Sequence, residues 1–371
     1  MVAFDTTSSE SNLAFVDFVS TLLDRPGIRV ERLPSENERK ANLIAVAGPD
    51  PEDEGDGLLL CGHTDVVPAV EPGWTGDPFS LRKDGDRLIA RGTCDMKGFV
   101  ALAVNRLAAA KTDRLERPLG LLLTYDEEVG TLGARRYAEA GASIPLPRRT
   151  IVGEPTSLCP VRLHKGHLRL RLVTTGVPAH SALPALGRSA VVPAARAIVA
   201  LAELNRALGE ESPRAAEHFA EAPCSSINVG RVAGGTAANV VPERCEVLIG
   251  IRLLPGVDPD AMTARVAEAV QAVIGEAGWA LEPVALSPAM EAAEGSDLLS
   301  ALREASGRTE DRGAAFATDA GWLERAGHHC ILFGPGSIEV AHRPDEYVPA
   351  GELARAGEVL DGQIARWCEV G

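Results

Sequence analysis

Eight residues in the first quarter of the chain, Leu58-Leu59-Leu60-Cys61-Gly62-His63-Thr64-Asp65, constrain its architecture more than any other stretch. Consecutive apolar residues read as a strand covered on both faces, the mark of a parallel sheet with helices on either side. In open sheets of that kind ligands sit beyond the carboxyl ends of the strands, where His63 and Asp65 fall. Residues two apart on an extended segment share a face. The Asp65 carboxylate is therefore expected to accept a hydrogen bond from one imidazole nitrogen of His63 while the other binds a metal.

The same pattern recurs along the chain. Residues 119–124 form a second apolar run ending in Tyr125-Asp126-Glu127-Glu128, and residues 149–153 a third ending in Glu154-Pro155. Arg91-Gly92-Thr93-Cys94-Asp95 leads into Phe99, Val100, Ala103, Val104 and Leu107 at helical spacing, which puts Asp95 at a helix start. Residues 330–333 run into Gly334-Pro335-Gly336 and then Ala341-His342. Laid side by side, these strand ends gather several carboxylates and two histidines. Acids that close repel one another unless positive charge lies among them, and a divalent metal supplies it.

At 371 residues the chain exceeds one ordinary core, so two domains are expected. A net charge of −15 argues against nucleic acid or an anionic membrane as the main partner. No run approaches the roughly 18 apolar residues of a membrane span, and residues 1–7 lack the basic start and apolar core of a signal peptide. Seven cysteines, odd in number and without Cys-x-x-Cys spacing, fit reduced thiols in a cytoplasmic protein, with Cys61 and Cys94 as small buried hydrophobes.

Residues 12–23 are expected to form a helix ended by Gly27, residues 29–33 and 42–46 strands, and residues 49–57 an acidic exposed loop. After Glu154 the patterning changes. Residues 164–175 alternate Leu168, Leu170 and Leu172 with Arg169 and Arg171, a strand with one wet face. A helix over 189–208, strands over 227–232 and 245–253, a helix over 259–277 and a strand over 279–286 complete a strand-helix-strand-strand-helix-strand order. That is the split βαβ pattern of a ferredoxin-like sandwich. The expected organisation is an α/β unit of residues 1–163 and 291–371, its mostly parallel central sheet flanked by helices and its last helix over 351–368. An α+β insert of residues 164–290 interrupts it.

Taken together, His63-Thr64-Asp65, Asp95-Met96-Lys97-Gly98, Glu127-Glu128, Gly153-Glu154-Pro155 and the late His342 resemble the dinuclear zinc deacylases, the family that includes acetylornithine deacetylase, succinyl-diaminopimelate desuccinylase and the aminoacylases. The likeness covers nearly the whole chain. Ala3-Phe4-Asp5-Thr6, His164-Lys165-Gly166-His167, Gly334-Pro335-Gly336-Ser337-Ile338 and Ala341-His342-Arg343-Pro344-Asp345-Glu346-Tyr347 look like the acetylornithine deacetylase branch in particular. The chain opens almost directly on Phe4-Asp5-Thr6, ahead of which the resemblance leads us to expect a helix.

The resemblance implies a zinc-peptidase-like catalytic domain, a ferredoxin-like lid or dimerisation domain, and two zinc ions, with cobalt as the substitute, bridged by Asp95. His63 and Glu154 would complete one metal site and Glu128 and His342 the other, leaving room for a bridging water whose pKa falls to about 7. Glu127 would take that water's proton and pass it to the leaving amine, with Asp65 supporting His63. His180, in Gly176-Val177-Pro178-Ala179-His180-Ser181, matches a histidine supplied by the partner subunit of a homodimer to the carbonyl oxygen as it turns anionic. Asn239 and Arg252 match holders of the substrate carboxylate. Thr318 lies in Ala317-Thr318-Asp319-Ala320-Gly321, where family members differ with the group bound, and is expected at the substrate.

The implied reaction converts N-acetyl-L-ornithine to L-ornithine and acetate, in the cytoplasm, within arginine synthesis. Desuccinylation of succinyl-diaminopimelate, deacylation of another N-acyl amino acid or cleavage of a dipeptide would use the same metals. A non-catalytic metal-bound module would be marked by loss of Glu127 or of a ligand, and all are present. No Gly-x-Ser-x-Gly elbow, phosphate loop or His-Glu-x-x-His helix occurs. His164, Lys165 and His167 receive no chemistry, and His218, His328 and His329 read as structural or exposed.

Overall fold

Uninterrupted apolar runs form the centre of the first sheet. In chain order the elements begin with α1 (Leu13–Leu23), β1 (Ile28–Pro34), β2 (Ala41–Ala47), β3 (Leu58–His63), the short β4 (Arg82–Asp84) and β5 (Arg87–Ile89), α2 (Lys97–Ala109), β6 (Leu119–Thr124), α3 (Leu132–Ala140) and β7 (Arg149–Val152). There follow β8 (Leu163–His164), β9 (Gly166–Thr175), α4 (Val191–Leu208), β10 (Ser226–Gly234), β11 (Arg244–Leu253), α5 (Pro259–Ile274), β12 (Trp279–Ser287) and β13 (Met290–Glu291). The chain ends with α6 (Asp297–Ser306), α7 (Ala320–Arg325), β14 (His329–Leu332), β15 (Tyr347–Pro349) and α8 (Ala350–Cys368). This structure, a computed structural model, describes residues 1–53, 56–211, 213–276 and 278–369.

One unit comprises residues 1–162, 292–311 and 318–369. Its six-stranded sheet has the order β1-β2-β6-β3-β7-β14, in which β6, β3, β7 and β14 are parallel and β2 is antiparallel to both neighbours. Leu58 and Leu60 of β3, Leu121 and Leu123 of β6 and Ile151 of β7 join Phe99, Val100 and Leu107 of α2 and Val359, Leu360 and Ile364 of α8 in one core. The intervening Leu59, Cys61 and Leu122 are equally buried, as a sheet covered on both faces requires. Each such Leu or Phe contributes about 1.5–3 kcal/mol.

The other unit comprises residues 163–291 with 312–317. Its antiparallel sheet has the order β10-β11-β9-β12. Numbered from β9 as the first strand, that order is two-three-one-four, which with the two helices is the ferredoxin-like arrangement. Leu168, Leu170 and Leu172 of β9 and Val247, Ile249 and Ile251 of β11 pack with α4 and α5, while Arg169 and Arg171 alternate outward.

Boundaries differ from expectation in three places. The strand expected from His164 is broken at Lys165, whose buried ammonium donates to the carbonyls of Ala222 (2.6 Å) and Cys224 (2.8 Å), and β8 pairs with β13 instead. The helix expected over 259–277 ends at Ile274, where Gly275 adopts φ 79°; Ala277 lies outside the described residues. Residues 312–317 associate with the second unit, in which Ala314 bridges to His164. The expected acidic loop includes residues 54 and 55, also outside the described residues. All seven cysteines are free thiols, and among the described residues no helix is long and apolar enough to cross a membrane.

β7 leads out through Gly153, where a Cβ would sit 1.9 Å from the Phe99 ring. A hydrogen at this position lets the strand end cross α2 and deliver Glu154. Gly153→Ala should cost about 1–3 kcal/mol in urea unfolding. Gly295→Ala, which would meet nothing within 4 Å, should stay within about 0.5 kcal/mol of the parent. Equal stabilities for the two variants would refute the tight crossing.

Candidate metal centre

Parallel order puts the carboxyl ends of β3, β6, β7 and β14 along one edge of the sheet, and each is followed by a loop bearing polar residues. His63 is the last residue of β3 and lies opposite Thr124, the last of β6. Asp126 turns sharply after β6 with φ 56°, so Glu127 and Glu128 follow at once. Its carboxylate pairs with Lys40, which anchors the turn. Glu154 follows β7 by two residues. Asp95 precedes α2 across a cis peptide to Met96. The helix begins at Lys97, so Asp95 lies just ahead of it, and its carboxylate faces histidines rather than capping α2.

Asp95 is the meeting point. Its Oδ1 lies 2.9 Å from His63 Nε2 and its Oδ2 3.2 Å from His342 Nε2. His342 Nε2 lies 3.0 Å from Glu128 as well. Ligand atoms of His63, Asp95 and Glu128 all fall within 4.8 Å of one another. His63 Nδ1 lies 2.9 Å from the carbonyl oxygen of Asp65, which can only accept. Nδ1 therefore carries a proton, and Nε2 is the nitrogen turned to Asp95.

The support of His63 differs from expectation. The main-chain carbonyl of Asp65 receives the imidazole proton, while the nearer carboxylate oxygen stands 3.7 Å away. That carboxylate accepts instead from the backbone N–H of Glu127 (3.1 Å) and of Glu128 (3.3 Å) and from Ser8 Oγ (2.7 Å). Extended geometry puts residues two apart on one face, but the acidic loop after β6 presents better donors. Asp65 thus holds the backbone that carries both glutamates.

Electrostatics at the cluster are severe. Burial, opposed by the charge of His63 and reinforced by Glu154, Glu128 and Asp319, pushes the Glu127 carboxyl well above the usual range. Burial and Asp95 do the same to Glu154, and raise Glu128 to about 7. Burial lifts Asp319 to about 6. Burial disfavours a charged His63, yet the hydrogen bond and charge of Asp95 prevail and raise its pKa well above the ordinary value. Hydrogen bonds to Asp95 and Glu128 raise His342 to about 10. Asp95 runs the other way: burial opposes ionisation, and its bonds to His342 and His63 hold it below the usual range.

These side chains suit divalent cations. Glu154 is 3% exposed, and its Oε1 is buried with no hydrogen-bond partner among the described residues. Two imidazoles cannot balance so many neighbouring acids, and hard carboxylate oxygens mixed with imidazole nitrogens are the donor set that zinc and its neighbours accept.

Thr318 and Asp319 also belong to this unit. Thr318 is buried and its Oγ1 accepts from the Ala320 N–H (3.1 Å) at the start of α7. Asp319, which has no assigned role in the expected site, lies in the Ala317-Thr318-Asp319-Ala320-Gly321 stretch beside Thr318. It is 1% exposed, accepts from Thr124 Oγ1, and has an Oδ1 without a partner among the described residues. An acid between small residues just before a short helix was the available signal.

His180, Asn239 and Arg252 lie on the second unit. His180 is exposed, bridges to Val240 and accepts the Ala182 N–H at Nδ1 (3.1 Å); the neighbouring Ser181 N–H donates to the Asn239 carbonyl (2.9 Å). The two loops are thus adjacent. Arg252 is half-buried on β11 opposite His167 of β9. Burial, with Arg252 and Arg169 beside it, lowers His167 to about 4, so that ring is neutral at physiological pH. His328 is buried between Tyr137 Oη (2.9 Å) and Thr150 Oγ1 (3.0 Å), a structural role.

Residues 59–366 match the profile of Peptidase family M20/M25/M40. The chain is 35% identical to acetylornithine deacetylase of Myxococcus xanthus, over 99% of this chain and 96% of that one. It is 33% identical to acetylornithine deacetylase of Pasteurella multocida, over 99% and 94%. Its fold is similar to that of an M20 family metallo-carboxypeptidase from Sulfolobus solfataricus (TM-score 0.75, 18% identity, 98% of this chain and 96% of that one). It is also similar to a dinuclear metal binding peptidase of the M20 family from Bacillus subtilis (TM-score 0.68, 15% identity, 98% and 94%). A mostly parallel sheet whose strand ends collect histidines and carboxylates, and a sequence match spanning nearly all of it, make this chain a member of peptidase family M20/M25/M40, a hydrolase of amide bonds.

Proposed function

We propose that this enzyme removes the acetyl group of N-acetyl-L-ornithine, releasing L-ornithine and acetate for arginine synthesis, in the cytoplasm and as a homodimer. The observation that carries this reading is the match along 99% of the chain to relatives named acetylornithine deacetylase.

His63, Asp95 and Glu154 would hold one divalent cation and Asp95, Glu128 and His342 a second, zinc by preference and cobalt as a substitute. Bound there, the pair would supply Lewis acidity and lower the pKa of a bound water toward about 7. Asp65 fixes Glu127 beside Glu128 through their N–H groups. Glu127 then takes one proton from the attacking water at its carboxylate. As the carbon–nitrogen bond breaks, that proton passes to the departing α-amine, and the acyl carbon keeps the water oxygen as acetate. A carboxylate whose pKa burial has raised is suited to both steps.

His180 of one protomer would donate to the carbonyl oxygen in the site of its partner. Its Nδ1 accepts the Ala182 N–H, which leaves the proton on Nε2 as the outward donor. Arg252 would fork onto the substrate carboxylate with Asn239 beside it, and Thr318 would line the site near the group that varies.

Among N-acetyl-L-ornithine, succinyl-diaminopimelate, other acetylated amino acids and dipeptides, the first should turn over with the highest kcat/KM. Glu127→Ala should keep both metals and lose about 10²–10⁴-fold in kcat. Faster desuccinylation would replace the substrate assignment, and an undiminished variant would remove Glu127 from the proton path. His180→Ala should also lose turnover with metal retained. Mixed dimers of His180→Ala and Glu127→Ala should regain activity, because one of their two sites would combine an intact histidine with an intact glutamate. Verified mixed dimers that stay inactive would contradict the crossing.

Metal binding should depend on pH with a definite sign. Without metal, Glu128 is raised from 4.5 to about 7, so the stability it lends below its ordinary pKa is lost as pH rises toward 7. His342, raised to about 10, keeps its proton up to that pH. A cation must displace both protons, so binding strengthens with pH. The gain in Tm on adding Zn²⁺ to chelator-treated protein should be larger at pH 7.5 than at pH 5.5. A gain independent of pH would mean that these groups are not the ligands.

A further inference from the structure

The loop that carries His342 is tied to the loop that carries Asp95 by a buried ion pair unrelated to any role assigned so far. Glu346 and Arg91 are each 1% exposed, and Glu346 Oε2 accepts from Arg91 Nη1 at 2.8 Å. Glu346 Oε1 accepts the backbone N–H of Cys94 (3.0 Å) and of Asp95 (3.1 Å). Its own carbonyl accepts the Ala90 N–H (3.1 Å) and Thr93 Oγ1 (3.3 Å). Arg91 continues outward to the Pro68 carbonyl (3.2 Å) and Glu71 (3.3 Å), with its guanidinium 5.1 Å from the centre of the Trp74 ring. Both Glu346 oxygens are thus engaged by donors of the chain.

We propose that the Arg91–Glu346 pair is a positioning unit for the metal centre, setting the separation of Asp95 from His342. This rests on the reading of those residues as metal ligands. A buried ion pair costs desolvation that an apolar pair would avoid, so stability alone is a weak reason for one. What a carboxylate adds here is direction: one oxygen grips the two N–H groups that orient Asp95, and the other is held by a guanidinium. Glu346 follows His342 by only four positions, at most about 14 Å of extended chain. His342 Nε2 in turn reaches the same Asp95 carboxylate that Glu346 orients from behind. Loops some 250 residues apart in sequence thus share one anchor.

The test is metal affinity in the full-length protein. Zn²⁺ dissociation constants for both equivalents come from competition with a chelator, and the visible absorption of the Co²⁺-loaded protein reports ligand geometry. Glu346→Gln should remain folded, bind at least one equivalent about 10–100-fold more weakly and change the Co²⁺ spectrum. Leu302→Ala, a core truncation in α6, should lower Tm and leave affinity and spectrum unchanged. Should Glu346→Gln fail to fold, Arg91→Lys, which keeps charge and loses the fork, should weaken binding roughly three- to tenfold. Parental affinity and spectrum in a folded variant, or an equal loss of affinity in Leu302→Ala, would overturn the positioning role alone. A parent protein that binds no divalent cation would overturn the metal reading and this inference together.

Discussion

Mutual repulsion among carboxylates is the constraint to which the rest of this molecule answers. Asp95, Glu127, Glu128, Glu154 and Asp319 converge with two imidazoles at the edge of a sheet, and four of the five acids are pushed above their ordinary pKa by burial and by neighbouring acids. In water such a cluster would disperse. Strand ends paired within the sheet hold it together, and divalent charge is a compensation that suits its chemistry. An excess of acid at the centre is what the proposed cation binding and proton transfer would draw on.

Rigidity comes from carboxylates acting on backbone as much as from packing. Asp65 accepts the N–H groups of Glu127 and Glu128, and Glu346 those of Cys94 and Asp95. In each case one buried acid takes two successive donors and so fixes the plane from which a proposed ligand side chain projects. Charge-assisted bonds to backbone are stronger than neutral ones and leave the held loop few alternatives. The sheet brings the clustered acids and histidines to within a loop's reach, and these bonds set the direction of Asp95, Glu127 and Glu128.

Much of this was legible in the sequence, because burial on both faces leaves a continuous apolar run and burial on one face leaves alternation. The runs before His63, Glu127 and Glu154 became β3, β6 and β7, and the Leu168-Leu170-Leu172 alternation became β9. What escaped depends on three-dimensional partners with no local signature. Lys165 breaks a strand because two carbonyls from residues 222 and 224 receive its ammonium. Asp65 follows the spacing rule for sharing a face with His63, yet its carboxylate turns to the loop after β6, which no pattern near residue 65 encodes. Glu346 lay within a stretch recognised for its likeness to a family, but its grip on residues 94 and 95 is a contact across 250 positions, invisible to periodicity.

The interleaving of the two units has a consequence for synthesis from the N-terminus. The outer edge of β7 waits for β14, and α8 arrives last, whereas residues 163–291 make up most of the second unit in one continuous passage. A growing chain on the ribosome therefore holds an unfinished parallel edge open until about residue 332, while the younger ferredoxin-like unit can close almost completely behind it. Nascent chains arrested between those points are where chaperone contact and edge-to-edge association would concentrate.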